Sequence, residues 1–83
     1  MTPLRALVVG AGGMGRAWGR TIAVRPDVVL AGWVDVIGER AVLAAAELGA
    51  GDVRCGDDLE AALGSVRPDF VVDAAVPEAH TDV

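Results

Sequence analysis

The chain has 83 residues, a net charge of −5 at pH 7 and 53% hydrophobic residues. This length and composition indicate one small globular domain. The acidic balance argues against nucleic acid or an anionic membrane as the main partner, since both attract basic surfaces. All seven cationic residues are Arg, so Schiff-base chemistry by lysine is excluded within these residues.

The only cysteine, Cys55, excludes an internal disulfide and a multi-cysteine zinc site, and we expect it to be structural. Its isolation is typical of a reducing compartment, so we predict a cytoplasmic protein. No spacing of metal ligands is present, and no metal site is expected. The apolar run Leu4–Val9 is too short for a signal peptide or a membrane span.

In chain order, the apolar run Leu4–Val9 predicts a buried strand that Gly10 ends. A helix follows and stops before Pro26. Its predicted core face recurs at helical spacing, with Arg16 and Arg20 opposite. The residues of that face are Met14, Ala17, Trp18, Thr21 and Ile22. A second strand is predicted at Val28–Val34, and we expect Trp18 and Trp33 to pack in the core.

The second half continues the alternation. Glu39–Leu48 is rich in alanine and predicts a helix that Gly49 stops. A short strand is predicted at Val53–Cys55. Asp57-Asp58-Leu59-Glu60 resembles a capping box that opens a third helix through about Leu63. The apolar run Phe70–Val76 predicts a further strand.

The order β-α-β-α-β-α-β predicts an α/β fold: a Rossmann-type parallel sheet with helices on both faces. A complete dinucleotide domain has two such halves, so we expect residues 1–83 to be one dinucleotide-binding domain, truncated at its C-terminal end. We also expect the substrate domain to be absent from this chain.

The strongest motif is the glycine-rich turn Gly10-Ala11-Gly12-Gly13-Met14-Gly15, which fits G-x-G-x-x-G between a strand and a helix. Gly10 allows the sharp turn, Gly12 allows a pyrophosphate to approach the backbone, and Gly15 allows the helix to pack closely. The amides from Gly12 to Gly15, with Gly13 and Met14 between them, are expected to face the anion.

Asp35 is 20 residues past Gly15, at the end of the second predicted strand. A carboxylate there accepts hydrogen bonds from the adenosine ribose and repels a 2′-phosphate, which favours NAD over NADP. Two alternatives stay open: Asp35 as a solvated turn residue, and Arg40 as a partner for the 2′-phosphate of NADP. The simpler interpretation is that Arg40 lies on the exposed face of the second helix.

The segment Val76-Pro77-Glu78-Ala79-His80 follows the last predicted strand. Ligands of open α/β sheets bind outside the carboxyl ends of the strands, so this loop is expected to face the cofactor. His80 is therefore a candidate for contact with the nicotinamide ribose or substrate, or for acid–base work. The alternative is a residue that packs or caps the start of a helix.

Taken together, these residues resemble the N-terminal domain of the Gfo/Idh/MocA oxidoreductase family. The resemblance rests on the run from Leu7 to Gly15, Val34-Asp35, Glu39-Arg40, Ala46-Glu47-Leu48-Gly49 and the Pro77–His80 loop. It implies an NAD(P)-dependent enzyme that transfers hydride to or from a sugar, polyol or related small molecule. It also implies that the Val76–Pro77 backbone lies near the nicotinamide ribose and His80 near the reactive end.

Two features depart from the family pattern. Gly13 stands where the family often has Arg, and the family's Glu-Lys-Pro motif does not occur in these residues. The resemblance places that motif beyond residue 83, so we expect these residues alone to be inactive, and we expect any homo-oligomer to form through the second domain. The alternatives are a non-catalytic dinucleotide sensor and, third, an S-adenosylmethionine-dependent methyltransferase.

Overall fold

The structure is a computed structural model that describes residues 2–50 and 52–74. Its elements alternate along the chain between strands and helices. They are β1 (Leu4–Val9), α1 (Gly13–Ala23), β2 (Val28–Val34), α2 (Gly38–Glu47), β3 (Arg54–Gly56), α3 (Leu59–Val66) and β4 (Phe70–Asp73).

The four strands form one parallel sheet in the order β3-β2-β1-β4. Helices α1 and α2 cover one face with a core built around Ala6, Val8 and Trp33, and α3 covers the other with Ala62 against Leu7 and Val34. The predicted α/β class, with helices on both faces of a parallel sheet, is confirmed.

An extra residue in β2 changes which side chains face α1. Ala6 pairs with Leu30 but Leu7 pairs with Gly32, so Ala31 has no partner on β1 and forms a β-bulge. Side chains alternate between faces along a strand, and one extra residue reverses the alternation. Leu30 and Trp33 consequently point to the same face, and Trp33 is fully buried there.

The predicted core face of α1 is wrong except at Ile22. The buried residues of the helix are Gly15, Gly19 and Ile22, whereas Met14 and Trp18 are exposed by 64% and 44%. The physical reason is backbone contact: a Cβ atom on Gly19 would lie 2.5 Å from the Trp33 ring. Glycine adds nothing to an apolar pattern, so hydrophobic spacing pointed to the wrong side of the helix.

The end of α2 confirms Gly49 as its stop. Gly49 has φ +70° and donates to the Ala46 carbonyl at 3.0 Å, while Ala50 donates to the Ala45 carbonyl at 2.9 Å. This pair of bonds is a Schellman motif, in which glycine takes the left-handed position at no steric cost.

The capping box predicted for α3 is wrong. The N-cap is Asp58, whose Oδ1 accepts from the Ala61 amide at 3.1 Å. Glu60 therefore lies one residue too early to complete the reciprocal bond. The helix also runs on to Val66, three residues past the expected end. Arg5 stabilises that end, because its Nε and Nη2 donate to the Val66 carbonyl at 3.1 and 2.9 Å.

Candidate cofactor site

The candidate site lies at the carboxyl ends of the two central strands. β1 is flanked by β2 on one side and β4 on the other. The chain leaves β1 toward β2 and later returns to the opposite side as β4, so the strand order reverses there. In open α/β sheets this reversal opens the crevice in which ligands bind. The glycine-rich turn begins at this point, directly after Val9.

The start of the turn is held by the last two residues of β2 and by Asp35, which follows them. The Trp33 indole Nε1 donates to the Gly10 carbonyl at 2.8 Å. The Val34 carbonyl accepts from the Gly10 amide at 2.7 Å, and the Asp35 Oδ2 accepts from the Ala11 amide at 2.7 Å. Gly10 has φ +104°, a conformation that glycine adopts readily. The three hydrogen bonds hold the backbone in that conformation.

Arg16 completes the fixation from the helix side. Its Nε donates to the Ala11 carbonyl at 3.1 Å, and its Nη1 pairs with Glu47 at the end of α2. The helical spacing predicts Arg16 on the exposed face of α1. It is instead half-buried, because the turn brings a carbonyl group within its reach.

The second part of the turn is open. Gly12 is half-buried and Gly13 and Met14 are exposed. A Cβ atom on Gly12 or Gly13 would meet nothing within 4 Å, whereas one on Gly15 would lie 1.9 Å from the Gly10 oxygen. These amides begin α1, where the first N–H groups lack intrahelical acceptors and the helix dipole favours an anion. The turn thus combines a fixed first half with an accessible second half.

Asp35 is buried, with 8% of its surface exposed, so the alternative of a solvated turn residue is wrong. Besides Ala11, it accepts from the Ile37 amide through Oδ1 at 2.8 Å. A carboxylate offers about four acceptor positions. Two hydrogen bonds to backbone amides therefore leave acceptor capacity for hydroxyl groups of a ligand.

The two residues after Asp35 and the start of α2 border the same edge of the sheet. Val36 and Ile37 are exposed by 89% and 46%. Arg40 is exposed in the first turn of α2 and its amide donates to the Ile37 carbonyl at 2.8 Å. The exposed position of Arg40 agrees with both interpretations given for it, a surface residue and a partner for a phosphate.

Other features of the described residues do not form a site of this kind. A cavity of about 260 Å³ lies between β3 and α3, and its lining includes none of the turn residues or Asp35. Burial raises the pKa of the Cys55 thiol, which agrees with a structural cysteine. Within residues 2–50 and 52–74, no cluster of three metal-ligating side chains occurs, and no helix is long and apolar enough to cross a membrane.

Three of the expected site residues, Val76, Pro77 and His80, lie outside the described residues. The described chain does fix where that segment starts. Ala74 donates to the Val9 carbonyl at 2.8 Å, and Asp73 pairs with Val9. The chain therefore leaves β4 beside the residue that precedes the glycine turn.

Fold and turn together define a Rossmann-like α/β domain. Solved structures with the same fold include GenD2 from gentamicin A biosynthesis in complex with NAD. It is 31% identical over 90% of this chain, with a TM-score of 0.76. They also include myo-inositol 2-dehydrogenase from Lactobacillus plantarum (21% identity, 90% of this chain, TM-score 0.74). A third is scyllo-inositol dehydrogenase from Lactobacillus casei (20% identity, 98%, TM-score 0.77).

These likenesses confirm the resemblance to the Gfo/Idh/MocA family, and the chain corresponds to the N-terminal Rossmann part of those proteins. It spans only 21%, 22% and 24% of the three solved chains. No protein-family model and no curated protein sequence matches the chain.

Proposed function

We propose that this chain is the cofactor-binding part of an NAD-dependent oxidoreductase that acts on a hydroxyl or carbonyl group of a sugar, polyol or related small molecule. The observation that carries the proposal is the buried Asp35 carboxylate, hydrogen-bonded to the glycine turn through Ala11. The solved GenD2 complex with NAD and the two inositol dehydrogenases support the same reading.

The chain's own residues divide the work of binding. The amides of Gly12, Gly13 and Met14 in the open part of the turn, together with the amide of the buried Gly15, bind the pyrophosphate at the positive end of α1. Asp35 uses its remaining acceptor positions for the ribose hydroxyls of adenosine and repels a 2′-phosphate, so NAD is preferred to NADP. Arg40 is the residue that limits this preference, because a guanidinium there partly neutralises a 2′-phosphate.

When bound, the nicotinamide supplies the hydride transfer. The segment after β4 starts beside the glycine turn, and we propose that the Val76–Pro77 backbone lies along the nicotinamide ribose. His80 follows as a contact for cofactor or substrate. Substrate binding and the remaining acid–base groups belong to the second domain that the family resemblance implies, and any homo-oligomer forms through that domain. We also propose a cytoplasmic location, which the single cysteine favours.

Calorimetric titration of the chain with NAD⁺, NADP⁺ and S-adenosylmethionine tests this function. We expect saturable binding of NAD⁺ and no binding of S-adenosylmethionine. Binding of NADP⁺ should be at least about tenfold weaker than binding of NAD⁺, which corresponds to a difference of about 1.4 kcal/mol in binding free energy. Tighter binding of NADP⁺ contradicts the role of Asp35. Binding of S-adenosylmethionine alone overturns the proposal.

A further inference from the structure

Trp33 makes a contact that burial of an aromatic ring does not require. The ring is fully buried, and its far edge lies against Gly19. Its Nε1 donates to the Gly10 carbonyl at 2.8 Å. A phenylalanine would fill much of the same core space, whereas the N–H group adds a specific bond to the first residue of the glycine turn.

The bonded carbonyl belongs to the peptide unit that joins Gly10 to Ala11. Trp33 holds the C=O of this unit, and Asp35 holds its N–H at 2.7 Å. A peptide unit is planar, so two partners at opposite ends fix its rotation. The orientation of this plane sets the direction in which the following backbone, from Gly12 onward, leaves the strand.

We propose that Trp33 is a positioning residue for pyrophosphate binding: its indole N–H holds the Gly10–Ala11 peptide unit so that the amides of the open half of the turn face the anion. The inference rests on the proposed function. The residue acts through Gly10 and does not touch the ligand, since it is fully buried. Binding of the pyrophosphate therefore depends on this N–H, and binding of the adenosine portion through Asp35 does not.

Trp33→Phe tests the proposal, with Trp18→Phe as the matched control on the exposed face of α1. Each folded variant is titrated with NAD⁺, ADP and adenosine. In Trp33→Phe we expect about fivefold weaker binding of NAD⁺ and ADP, as for the net loss of one hydrogen bond, and unchanged binding of adenosine. Trp18→Phe should leave all three unchanged. The positioning role is overturned if Trp33→Phe weakens the binding of all three ligands equally, or if it leaves all three affinities unchanged.

A second measurement needs no substitution at Trp33. The unsubstituted chain has two indole N–H signals in a ¹H–¹⁵N spectrum, and Trp18→Phe identifies which is which. Saturating ADP should shift the Trp33 signal and leave the Trp18 signal in place, whereas adenosine should shift neither. A Trp33 signal that ADP leaves unmoved overturns the proposal. If the unsubstituted chain binds none of the three ligands, the proposed function fails and the positioning role with it. If it binds them and only the Trp33 tests fail, the proposed function stands.

Discussion

The α-carbon of Gly15 packs directly on the Gly10 carbonyl, so closely that a Cβ atom on Gly15 would lie 1.9 Å from the Gly10 oxygen. The same oxygen accepts the indole N–H of Trp33 at 2.8 Å. The first helix, the turn and the second strand therefore meet at one backbone atom. Packing therefore requires glycine at position 15, whereas the positive φ of +104° favours glycine at position 10.

This relationship predicts different consequences for two glycines of one motif. Gly15→Ala forces backbone atoms apart, and we expect it to destabilise the fold by about 1–3 kcal/mol or more, as overpacking does. Gly12→Ala meets no atom within 4 Å, so thermal unfolding should change little while NAD⁺ affinity falls. Circular dichroism melts and calorimetric titration of both variants check this. A Gly12→Ala chain that binds NAD⁺ normally would contradict the placement of the pyrophosphate.

A second pair of glycines tests the packing of Trp33. Gly19→Ala places a methyl group 2.5 Å from the Trp33 ring, and we expect a loss of about 1–3 kcal/mol in the free energy of unfolding. Gly64→Ala lies inside α3 with nothing within 4 Å of the added atom. There we expect a gain of about 0.5–1 kcal/mol from helix propensity. Urea unfolding of both variants measures the difference, and equal effects would contradict the close contact of α1 with Trp33.

Asp35→Asn should weaken both the fold and the site. Both carboxylate oxygens accept from backbone amides, at Ala11 and Ile37, so an amide NH₂ must oppose one of these donors. We expect a loss of about 1–3 kcal/mol in stability and a reduced ratio of NAD⁺ to NADP⁺ affinity. Asp58→Asn is the control, because asparagine caps a helix as well as aspartate does. An unchanged NAD⁺ to NADP⁺ ratio in Asp35→Asn would refute the role of this carboxylate in cofactor choice.

The thiol of Cys55 should react slowly. Burial raises its pKa above the ordinary cysteine value, and the Sγ contacts the Ala41 and Val53 carbonyls at 3.6 Å. Because the thiolate is the nucleophile, a raised pKa leaves less of it at pH 8. We expect a thiol-exchange reagent to label the folded chain more slowly than glutathione, and the urea-unfolded chain at a rate close to that of glutathione. Labelling of the folded chain as fast as glutathione would contradict the half-buried setting of the thiol.

Local sequence patterns predicted the sheet well. The bounds of β1 and β2 agree with the observed Leu4–Val9 and Val28–Val34, since each is a continuous apolar run between turn residues. The buried face of α1 could not be predicted from hydrophobicity, because two of its three buried residues are glycines. A sequence pattern also gives no sign of the bulge at Ala31, which turns Trp33 toward α1.

The candidate site was predicted in its parts but not in its connections. Gly10, Gly12, Gly15 and Asp35 could be named from spacing, whereas the bonds from Trp33 to the turn and from Arg16 to Glu47 join residues that are 23 and 31 positions apart in sequence. Such contacts depend on strand order and helix placement. The signal that could have suggested Trp33 is its place two residues before Asp35, on a strand next to the glycine turn.

The most direct test of the central claim is the amide ¹H–¹⁵N spectrum of the chain during titration with NAD⁺. We expect the largest shifts at Gly12, Gly13, Met14 and Gly15, with a further shift at Asp35. Shifts confined to the cavity between β3 and α3, or an unchanged spectrum of the glycine turn at saturating NAD⁺, would contradict the central claim.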